Sequence, residues 1–158
     1  KTTAAVGLAV RATGAGMRVV FVQFVNGGPR SSELGVLEGL GVRVERPAER
    51  STGLLGAGLN DEDRAAAAEA GEIAREVIMS GAYDLVVCDE LNIAIAHDLV
   101  PERDVLAALD ARPAHVEVVL TGRGARDAIV DRADLVTEMM LRKHPFDSGV
   151  SARRGIEF

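Results

Sequence analysis

Two adjacent acids, Asp89 and Glu90, are the residues best suited to chemistry, because they directly follow the apolar run at positions 85–88. An apolar run of this length is typical of a strand that helices cover on both faces of a parallel sheet. Ligands of such sheets bind at the carboxyl ends of the strands, where these two acids would stand. The pair could therefore bind a metal ion. Alternatively, both carboxylates stabilise the start of the next helix, whose dipole favours negative charge, and this segment alone leaves the two interpretations open.

A second group of residues, Lys1, Thr2 and Thr3, stands at the start of a small-residue helical pattern. Phosphate-binding loops have the form Gly-x-x-x-x-Gly-Lys-Ser/Thr, in which the lysine reaches the β- and γ-phosphates and the hydroxyl holds Mg²⁺. These three residues are a weak signal by themselves. Arg123 adds a further feature, because it lies in a Thr-Gly-Arg-Gly turn after another apolar run. Together with the acids, these features indicate a site for a nucleoside triphosphate and Mg²⁺.

The elements that would position these residues alternate along the chain between strands and helices. Strands are predicted at residues 18–24, 42–45, 85–88, 116–122 and 134–141, the last with Met139 and Met140 in the core. The clearest helix spans 61–80, shorter helices are predicted at 1–14, 32–40, 101–111 and 124–132, and 93–97 is predicted to be a helical or turn segment. The glycine-rich stretch 46–60 is predicted to be a mobile loop. The alternation predicts an α/β fold with a mostly parallel sheet.

The composition limits the class of protein. A chain of 158 residues with 47% hydrophobic residues fits a single domain with a substantial core. The net charge of −6 argues against non-specific binding to nucleic acid, which normally requires a basic surface. The single cysteine, Cys88, excludes a disulfide framework and is expected to be buried, which fits a reducing cytoplasm. No apolar run approaches the roughly 20 residues that span a bilayer, so we expect a soluble intracellular protein without a membrane partner.

Several segments are similar to one known family. KTTAAVGLAVRATGAGMRVVFVQF, VVCDELN, TGRGA, ADLVTEM and KHPFDSGVSARRGIEF resemble the ATP:corrinoid adenosyltransferases of cobalamin synthesis and salvage. The resemblance covers nearly the whole chain. It implies a P-loop, RecA-like three-layer α/β sandwich, in which residues 1–158 form one domain that lacks the first strand and the glycine-rich loop of the family. It also implies a cytoplasmic homodimer.

The resemblance further implies a reaction and its cofactors. The family transfers the 5′-deoxyadenosyl group of ATP to the Co(I) ion of a reduced corrinoid, such as cob(I)alamin or cobyrinic acid a,c-diamide, and releases triphosphate. The implied metal ion is Mg²⁺ or Mn²⁺, and a flavoprotein can act as the reductant. By motif, Lys1 and Thr3 would bind the triphosphate, and Thr2, Asp89 and Glu90 would bind the metal ion.

The resemblance also places two arginines near the nucleotide, Arg11 on the first helix and Arg123 in the turn. Arg11 and Glu90 are the implied catalytic residues, and they act by positioning, because Co(I) is a strong nucleophile that needs no base. Leu54 and Leu55 would bind the corrinoid, since Gly53, Leu54 and Leu55 stand where the family has a Phe-Thr-Trp segment, whose aromatic pair presses on the lower face of the corrinoid. The corrinoid half of the site therefore departs from the family pattern.

The sequence is compatible with three functions. The first is corrinoid adenosyl transfer, which the whole-length similarity favours. The second is an ATP-binding paralogue, regulatory or corrinoid-carrying, without efficient transfer, which the missing aromatic pair favours. The third is a P-loop hydrolase or kinase, which would need a catalytic base at a strand end beyond Glu90. For Arg123, the alternative is a solvated charge in an exposed turn.

Overall fold

The computed structural model describes residues 1–24, 32–47 and 58–156. In chain order, the elements are α1 (Thr2–Gly14), β1 (Val19–Gln23), α2 (Ser32–Gly39), β2 (Arg43–Glu45), α3 (Asp61–Ser80), β3 (Leu85–Asp89), α4 (Leu91–Ala96), α5 (Glu102–Ala111), β4 (Glu117–Leu120) and α6 (Asp127–Arg132), followed by a 3₁₀ turn (Pro145–Ser148). Most of the predicted loop at 46–60 lies outside the described residues, so that prediction stays open.

Four strands form a parallel sheet in the order β2-β1-β3-β4. The two central strands, β1 and β3, are buried along their whole length. Their sequences explain this position, because the runs VVFVQ and LVVCD offer apolar side chains to both faces of the sheet. The pairing sets Gln23, the last residue of β1, opposite Asp89, the last residue of β3. The predicted α/β fold with a parallel sheet is confirmed.

Helices cover both faces of this sheet. Phe21 and Val87 pack on one face with residues of α1 and α2. Val20, Val22 and Val86 pack on the other face with residues of α3, α4 and α5. The division follows from the pleat of the strands, which points successive side chains to opposite faces. Each fully buried side chain of this kind contributes roughly 1.5–3 kcal/mol of hydrophobic free energy, so the strands hold both helical layers in place.

The longest helix, α3, confirms the clearest helix prediction. The Asn60 side chain accepts a hydrogen bond from the Asp63 N–H, and the Asp63 side chain accepts one from the Asn60 N–H. This reciprocal pair satisfies two N–H groups at the start of the helix. Gly81 ends the helix at φ 66°, a left-handed conformation that favours glycine. The helix therefore has a defined start and end, and it delivers the chain to β3, which leads into the two acids.

The predicted last strand at 134–141 is wrong, because none of these residues, all of them described, forms a strand. Leu135, Met139 and Met140 are 85%, 54% and 64% exposed, so the predicted core position of the two methionines is wrong as well. A strand needs a neighbour that accepts its backbone hydrogen bonds, whatever its apolar pattern. Within the described part of the chain, β4 pairs only with β3, so 134–141 does not extend the sheet at the outer edge of β4.

Two expectations from composition concern Cys88 and membrane spans. Cys88 is buried in β3 as predicted. Burial raises the pKa of its thiol to about 12, so the thiol stays protonated at neutral pH and is a poor nucleophile. Among the described residues, no helix combines the length and the apolar character needed to cross a bilayer.

Candidate nucleotide and metal site

The first turn of α1 forms one side of the site. In the described structure, Lys1 precedes the helix without a side-chain capping bond, and no acidic residue lies in the first turn. The first N–H groups of a helix lack partners within it, and the helix dipole gives this end a partial positive charge. Lys1 and Thr3 are exposed there, whereas Thr2 is partly buried. This end of α1 is therefore suited to an anion such as a phosphate group.

The fold brings Thr2 to the strand-end acids. Thr2 Oγ1 donates a hydrogen bond to Asp89 Oδ2 at 3.3 Å. Asp89 is 1% exposed and lies at the carboxyl end of β3. Burial raises the pKa of the Asp89 carboxyl, while hydrogen bonds from Thr121, Thr2 and Gln23 partly oppose the shift. A buried carboxylate whose pKa is raised in this way favours a cation beside it.

Glu90 precedes α4 in a left-handed backbone conformation, with φ 61° and ψ 19°. Glu90 is the N-cap residue of α4, but its side chain makes no capping hydrogen bond in the described structure. Its carboxylate still lies at the start of the helix, so the interpretation in which it stabilises the helix dipole stays open. Its Oε2 atom is buried and finds no hydrogen-bond partner among the described residues. Burial, and then the charge of Asp89, raise the pKa of the Glu90 carboxyl, whereas the charges of Lys1 and Arg123 lower it. The carboxyl therefore has two cations near it and an oxygen that a ligand can use.

The turn after β4 meets the start of α4 at close range. Gly122 has φ 132°, a conformation that residues with a side chain rarely adopt. A Cβ atom on Gly122 would lie 2.9 Å from Asn92 Cβ and 3.0 Å from the Ile93 nitrogen. Only glycine fits this position without displacing α4. The close approach keeps the exposed Arg123 within electrostatic reach of Glu90.

Two polar residues of the site, Thr121 and Gln23, were not among the predicted site residues. Both are buried, both stand at the carboxyl ends of the strands that flank β3, and both side chains bond to Asp89. The sequence feature that could have identified them is a polar residue at the carboxyl end of an apolar strand that neighbours the strand with the acids. That signal identifies the residues only once the strand order is known.

Arg11 does not lie beside these residues. Arg11 is exposed in the last turn of α1, about 14 Å along the helix from Thr2. Leu54 and Leu55, the predicted corrinoid contacts, lie outside the described residues. The structure therefore gathers the residues predicted for the triphosphate and the metal ion, and it leaves Arg11 at the far end of α1.

The donor atoms of this site suit Mg²⁺. Thr2, Asp89 and Glu90 offer a hydroxyl and carboxylate oxygens, which are the ligands that hard divalent cations prefer. In the part of the chain that the structure describes, no cluster of three or more His, Cys, Asp and Glu side chains could hold a metal ion. Mg²⁺ commonly uses one or two carboxylates and completes its shell with water and substrate phosphates. The site therefore fits a metal ion that binds together with a nucleotide.

A parallel α/β sheet whose strand-end acids meet a Lys-Thr-Thr helix start is the arrangement of a P-loop-type nucleotide-binding protein. Comparison with known proteins narrows this class. Residues 1–158 match the model of the family described as ATP:corrinoid adenosyltransferase BtuR/CobO/CobP, and the chain belongs to this family. The resemblance identified in the sequence is confirmed.

Individual relatives agree with the family match. The chain is 41% identical over 159 residues to the corrinoid adenosyltransferase CobA of Salmonella typhimurium, and the match covers 80% of that protein. It is 40% identical over 159 residues to the corrinoid adenosyltransferase of Escherichia coli strain K12, again with 80% of that protein covered. It is 39% identical over 164 residues to the corrinoid adenosyltransferase of Pseudomonas aeruginosa, of which 78% is covered. Each match includes all of this chain.

Proposed function

We propose that this protein transfers the 5′-deoxyadenosyl group of ATP to the Co(I) ion of a reduced corrinoid and releases triphosphate. The observation that carries the proposal is the hydrogen bond between Thr2 and Asp89, because it joins the anion-binding start of α1 to the strand-end acids. A nucleoside triphosphate with its metal ion needs both groups in one place. Membership of an adenosyltransferase family supports adenosyl transfer as the reaction.

The proposed reaction depends on positioning. The electron pair of Co(I) attacks C5′ of ATP, the C5′–O bond breaks, and triphosphate leaves with the bonding electrons, so the product is an alkyl-Co(III) corrinoid. The rate then depends on holding C5′ in line with the cobalt and on neutralising the leaving group. Lys1 and Arg123 are the proposed partners of the departing negative charge, and Thr3 is a proposed contact of the bound phosphates.

Thr2, Asp89 and Glu90 are the proposed ligands of Mg²⁺, or of Mn²⁺ in its place. When bound, the metal ion neutralises negative charge on the triphosphate. Asp89 would contribute a carboxylate that hydrogen bonds from Thr2 and Thr121 already orient. Glu90 would contribute Oε2, which is buried and unpartnered among the described residues. It is the proposed catalytic carboxylate because, as a ligand of the metal ion, it would touch the bound nucleotide.

Arg11 stays a proposed catalytic residue on the resemblance alone. The variant Arg11→Ala decides the point, with Arg103→Ala as its control, since the Arg103 side chain is 87% exposed on α5. A catalytic role predicts that kcat falls about 100-fold or more in Arg11→Ala only. An unchanged kcat would remove Arg11 from the site.

The corrinoid side of the site and the partners are proposed as well. Leu54 and Leu55 would face the lower side of the corrinoid, which is cob(I)alamin or cobyrinic acid a,c-diamide, and would offer less area than an aromatic pair. We also propose that residues 1–158 act as one domain in a cytoplasmic homodimer that a flavoprotein supplies with reduced corrinoid. The exposed apolar side chains of Leu135, Met139 and Met140 support a partner surface.

An anaerobic assay tests the proposed reaction. The protein is incubated with ATP, Mg²⁺ and chemically reduced cobalamin, and the absorbance of the alkyl-cobalt product is followed. We expect wild type and Arg103→Ala to form the product, and Asp89→Asn to form it at least about 100-fold more slowly. Wild-type protein that binds ATP and forms no alkyl-cobalt product would favour the ATP-binding paralogue instead. The names of the relatives do not favour that alternative.

A further inference from the structure

Thr121 is bonded through its backbone and its side chain to the segment that carries the two acids. Its N–H donates to the Cys88 carbonyl oxygen at 3.1 Å, and its own carbonyl oxygen accepts from the Asn92 N–H at 3.0 Å. Its Oγ1 donates to Asp89 Oδ1 at 2.7 Å and accepts from the Glu90 N–H at 3.0 Å. One residue thus ties the end of β4 to both acids and to the first turn of α4.

The hydroxyl bonds depend on the identity of the side chain, whereas the backbone bonds do not. A hydroxyl has one proton and two acceptor lone pairs. Because the proton of Thr121 points to Asp89, a lone pair is available to the Glu90 N–H. Thr121 is 8% exposed, so water has little access to replace the hydroxyl. Serine is the one other residue that could make both bonds with so short a side chain.

The bond to Asp89 determines which carboxylate oxygen faces Thr2. A charge-assisted bond is shorter and roughly twice as strong as a neutral one, and the 2.7 Å bond from Thr121 to Oδ1 is the shorter of the two threonine contacts. With Oδ1 held by Thr121, Oδ2 is the oxygen that lies 3.3 Å from the Thr2 hydroxyl. A residue on the neighbouring strand therefore orients the carboxylate toward α1.

The same hydroxyl supports an unfavourable backbone conformation. Glu90 has φ 61°, and residues other than glycine keep such a conformation only where their surroundings hold it. The Thr121 hydroxyl accepts the Glu90 N–H at this point and so gives a partly buried donor its partner. Fixing the backbone also fixes where the Glu90 side chain begins.

We propose that Thr121 is a positioning residue whose hydroxyl holds the Asp89 carboxylate and the Glu90 backbone ready for the metal-bound triphosphate. The inference rests on the proposed function, because it takes these two acids as metal ligands. Thr121 acts through them and needs no contact with the nucleotide. A hydroxyl with a structural role alone would change stability and leave metal binding as it is.

Three variants separate positioning from stability. Thr121→Val keeps the size of the side chain and removes both hydroxyl bonds, whereas Thr121→Ser keeps the hydroxyl. Thr13→Val is the matched control, because the Thr13 hydroxyl donates to the Ala9 carbonyl oxygen at 2.9 Å, at the end of α1 opposite Thr2. The measurements are the Mg²⁺ concentration that half-saturates ATP binding in calorimetry, kcat and KM for ATP, and the melting temperature.

We expect Thr121→Val to raise the half-saturating Mg²⁺ concentration about 10- to 100-fold, which is typical when an outer partner of a metal ligand is lost. Thr121→Ser should stay within about threefold of wild type, because serine has the same donor and acceptors. Thr13→Val also loses a hydroxyl hydrogen bond, and it should leave the Mg²⁺ requirement unchanged. A positioning role requires all three results: weaker Mg²⁺ binding in Thr121→Val, nearly normal Mg²⁺ binding in Thr121→Ser and unchanged Mg²⁺ binding in Thr13→Val.

Two results would overturn the inference. The first is a folded Thr121→Val protein that binds Mg²⁺ and ATP as wild type does, and the second is loss of the fold in both Thr121 variants. Either result removes the positioning role of Thr121. Wild-type protein that binds no Mg²⁺–ATP would contradict the proposed function itself and the inference with it, so the two failures are distinguishable.

Discussion

Thr2 and Asp89 are separated by 87 positions in the sequence and joined by a 3.3 Å hydrogen bond between Thr2 Oγ1 and Asp89 Oδ2. The bond sets the start of α1 against the end of β3. The helix start offers N–H groups and a positive dipole end to an anion, and the strand end offers oxygen ligands to a cation. A metal-bound triphosphate presents both kinds of charge, so this single junction can bind it.

Lys1→Ala should weaken ATP binding about 10- to 100-fold, because it removes a charge-assisted hydrogen bond to phosphate. Calorimetric titration with Mg²⁺–ATP measures the change. Lys143 is exposed, and Lys143→Ala is the matched control, for which we expect unchanged affinity. Equal affinities in the two variants would remove Lys1 from the phosphate site.

Glu90→Gln should lower turnover without lowering stability. Burial raises the pKa of Glu90 in the folded protein, so ionising this carboxyl lowers the free energy of unfolding. The cost is absent below the unfolded value of about 4.3 and grows as the pH rises past it. Without nucleotide, the variant should melt at or above the wild-type temperature at pH 7 and match it near pH 4, while kcat falls about 100-fold or more. A lower melting temperature at pH 7 with intact turnover would support a structural carboxylate.

Gly122→Ala should destabilise the protein by roughly 1–3 kcal/mol, because the added Cβ meets Asn92 at a positive φ. Chemical denaturation measures the free energy of unfolding. Gly7→Ala is the matched control within α1, since no described atom lies within 4 Å of its added Cβ. We expect that control to gain about 0.5–1 kcal/mol from helix propensity. A neutral Gly122→Ala would mean that the turn can move away from α4.

Asp84→Asn should lower stability at neutral pH and have no such effect in acid. Asp84 accepts bonds from the backbone N–H and the guanidinium of Arg18 at 2.7–3.0 Å, and they hold the pKa of Asp84 well below its usual range. A lowered pKa adds stability above the unfolded value of about 3.9, and this stability is lost as the pH falls through the folded value. The difference in melting temperature between wild type and variant should therefore narrow below about pH 4.

The control for Asp84 is Asp110→Asn, which breaks an exposed pair with Arg132 at 2.6 Å. Both ion pairs lie at the surface and contribute little as pairs. Asp84 also accepts the Arg18 backbone N–H at 2.8 Å, so we expect a smaller change in Asp110→Asn than in Asp84→Asn. If both variants showed the same pH profile, the special contribution of the pair between Asp84 and Arg18 would be refuted.

The double variant Gly53→Phe, Leu55→Trp addresses the corrinoid side. It should raise the rate that starts from Co(II) corrinoid and a flavoprotein reductant more than the rate from chemically generated Co(I). An aromatic pair buries more area against the flat corrin and excludes its displaced axial base, whereas transfer to Co(I) needs only ATP positioning. If wild type already converts Co(II) corrinoid as fast as Co(I), another group covers the lower face and the hypothesis is wrong.

Local patterns predicted most of the fold. Apolar runs in the sequence predicted β1 and β3. The helical pattern and acidic start of α3 predicted that helix. Each of these signals lies within the segment that it predicts. The segment 134–141 also has an apolar pattern, but strand formation depends on pairing with a neighbouring strand, which no local pattern specifies. In the structure the segment pairs with no described strand, so its apolar side chains stay exposed.

The candidate site likewise contains residues that the sequence predicted and a residue that it did not. Lys1, Thr2, Asp89 and Glu90 were predicted to lie in one site from their residue types and their places at element ends, and the structure brings them together, while their roles in phosphate and metal binding stay predictions. Thr121 could not be predicted, since a threonine after an apolar strand has no distinctive chemistry by itself. Its proposed role depends on the register of β4 against β3, which sets its hydroxyl beside the two acids.

Product stoichiometry tests adenosyl transfer most directly. In one anaerobic reaction with ATP, Mg²⁺ and Co(I) corrinoid, chromatography measures triphosphate, ADP and phosphate, and absorbance measures the alkyl-cobalt product. We expect equal amounts of triphosphate and alkyl-cobalt product, no ADP, and intact ATP when the corrinoid is left out. Release of ADP and phosphate without an alkyl-cobalt product would contradict adenosyl transfer and identify a P-loop hydrolase.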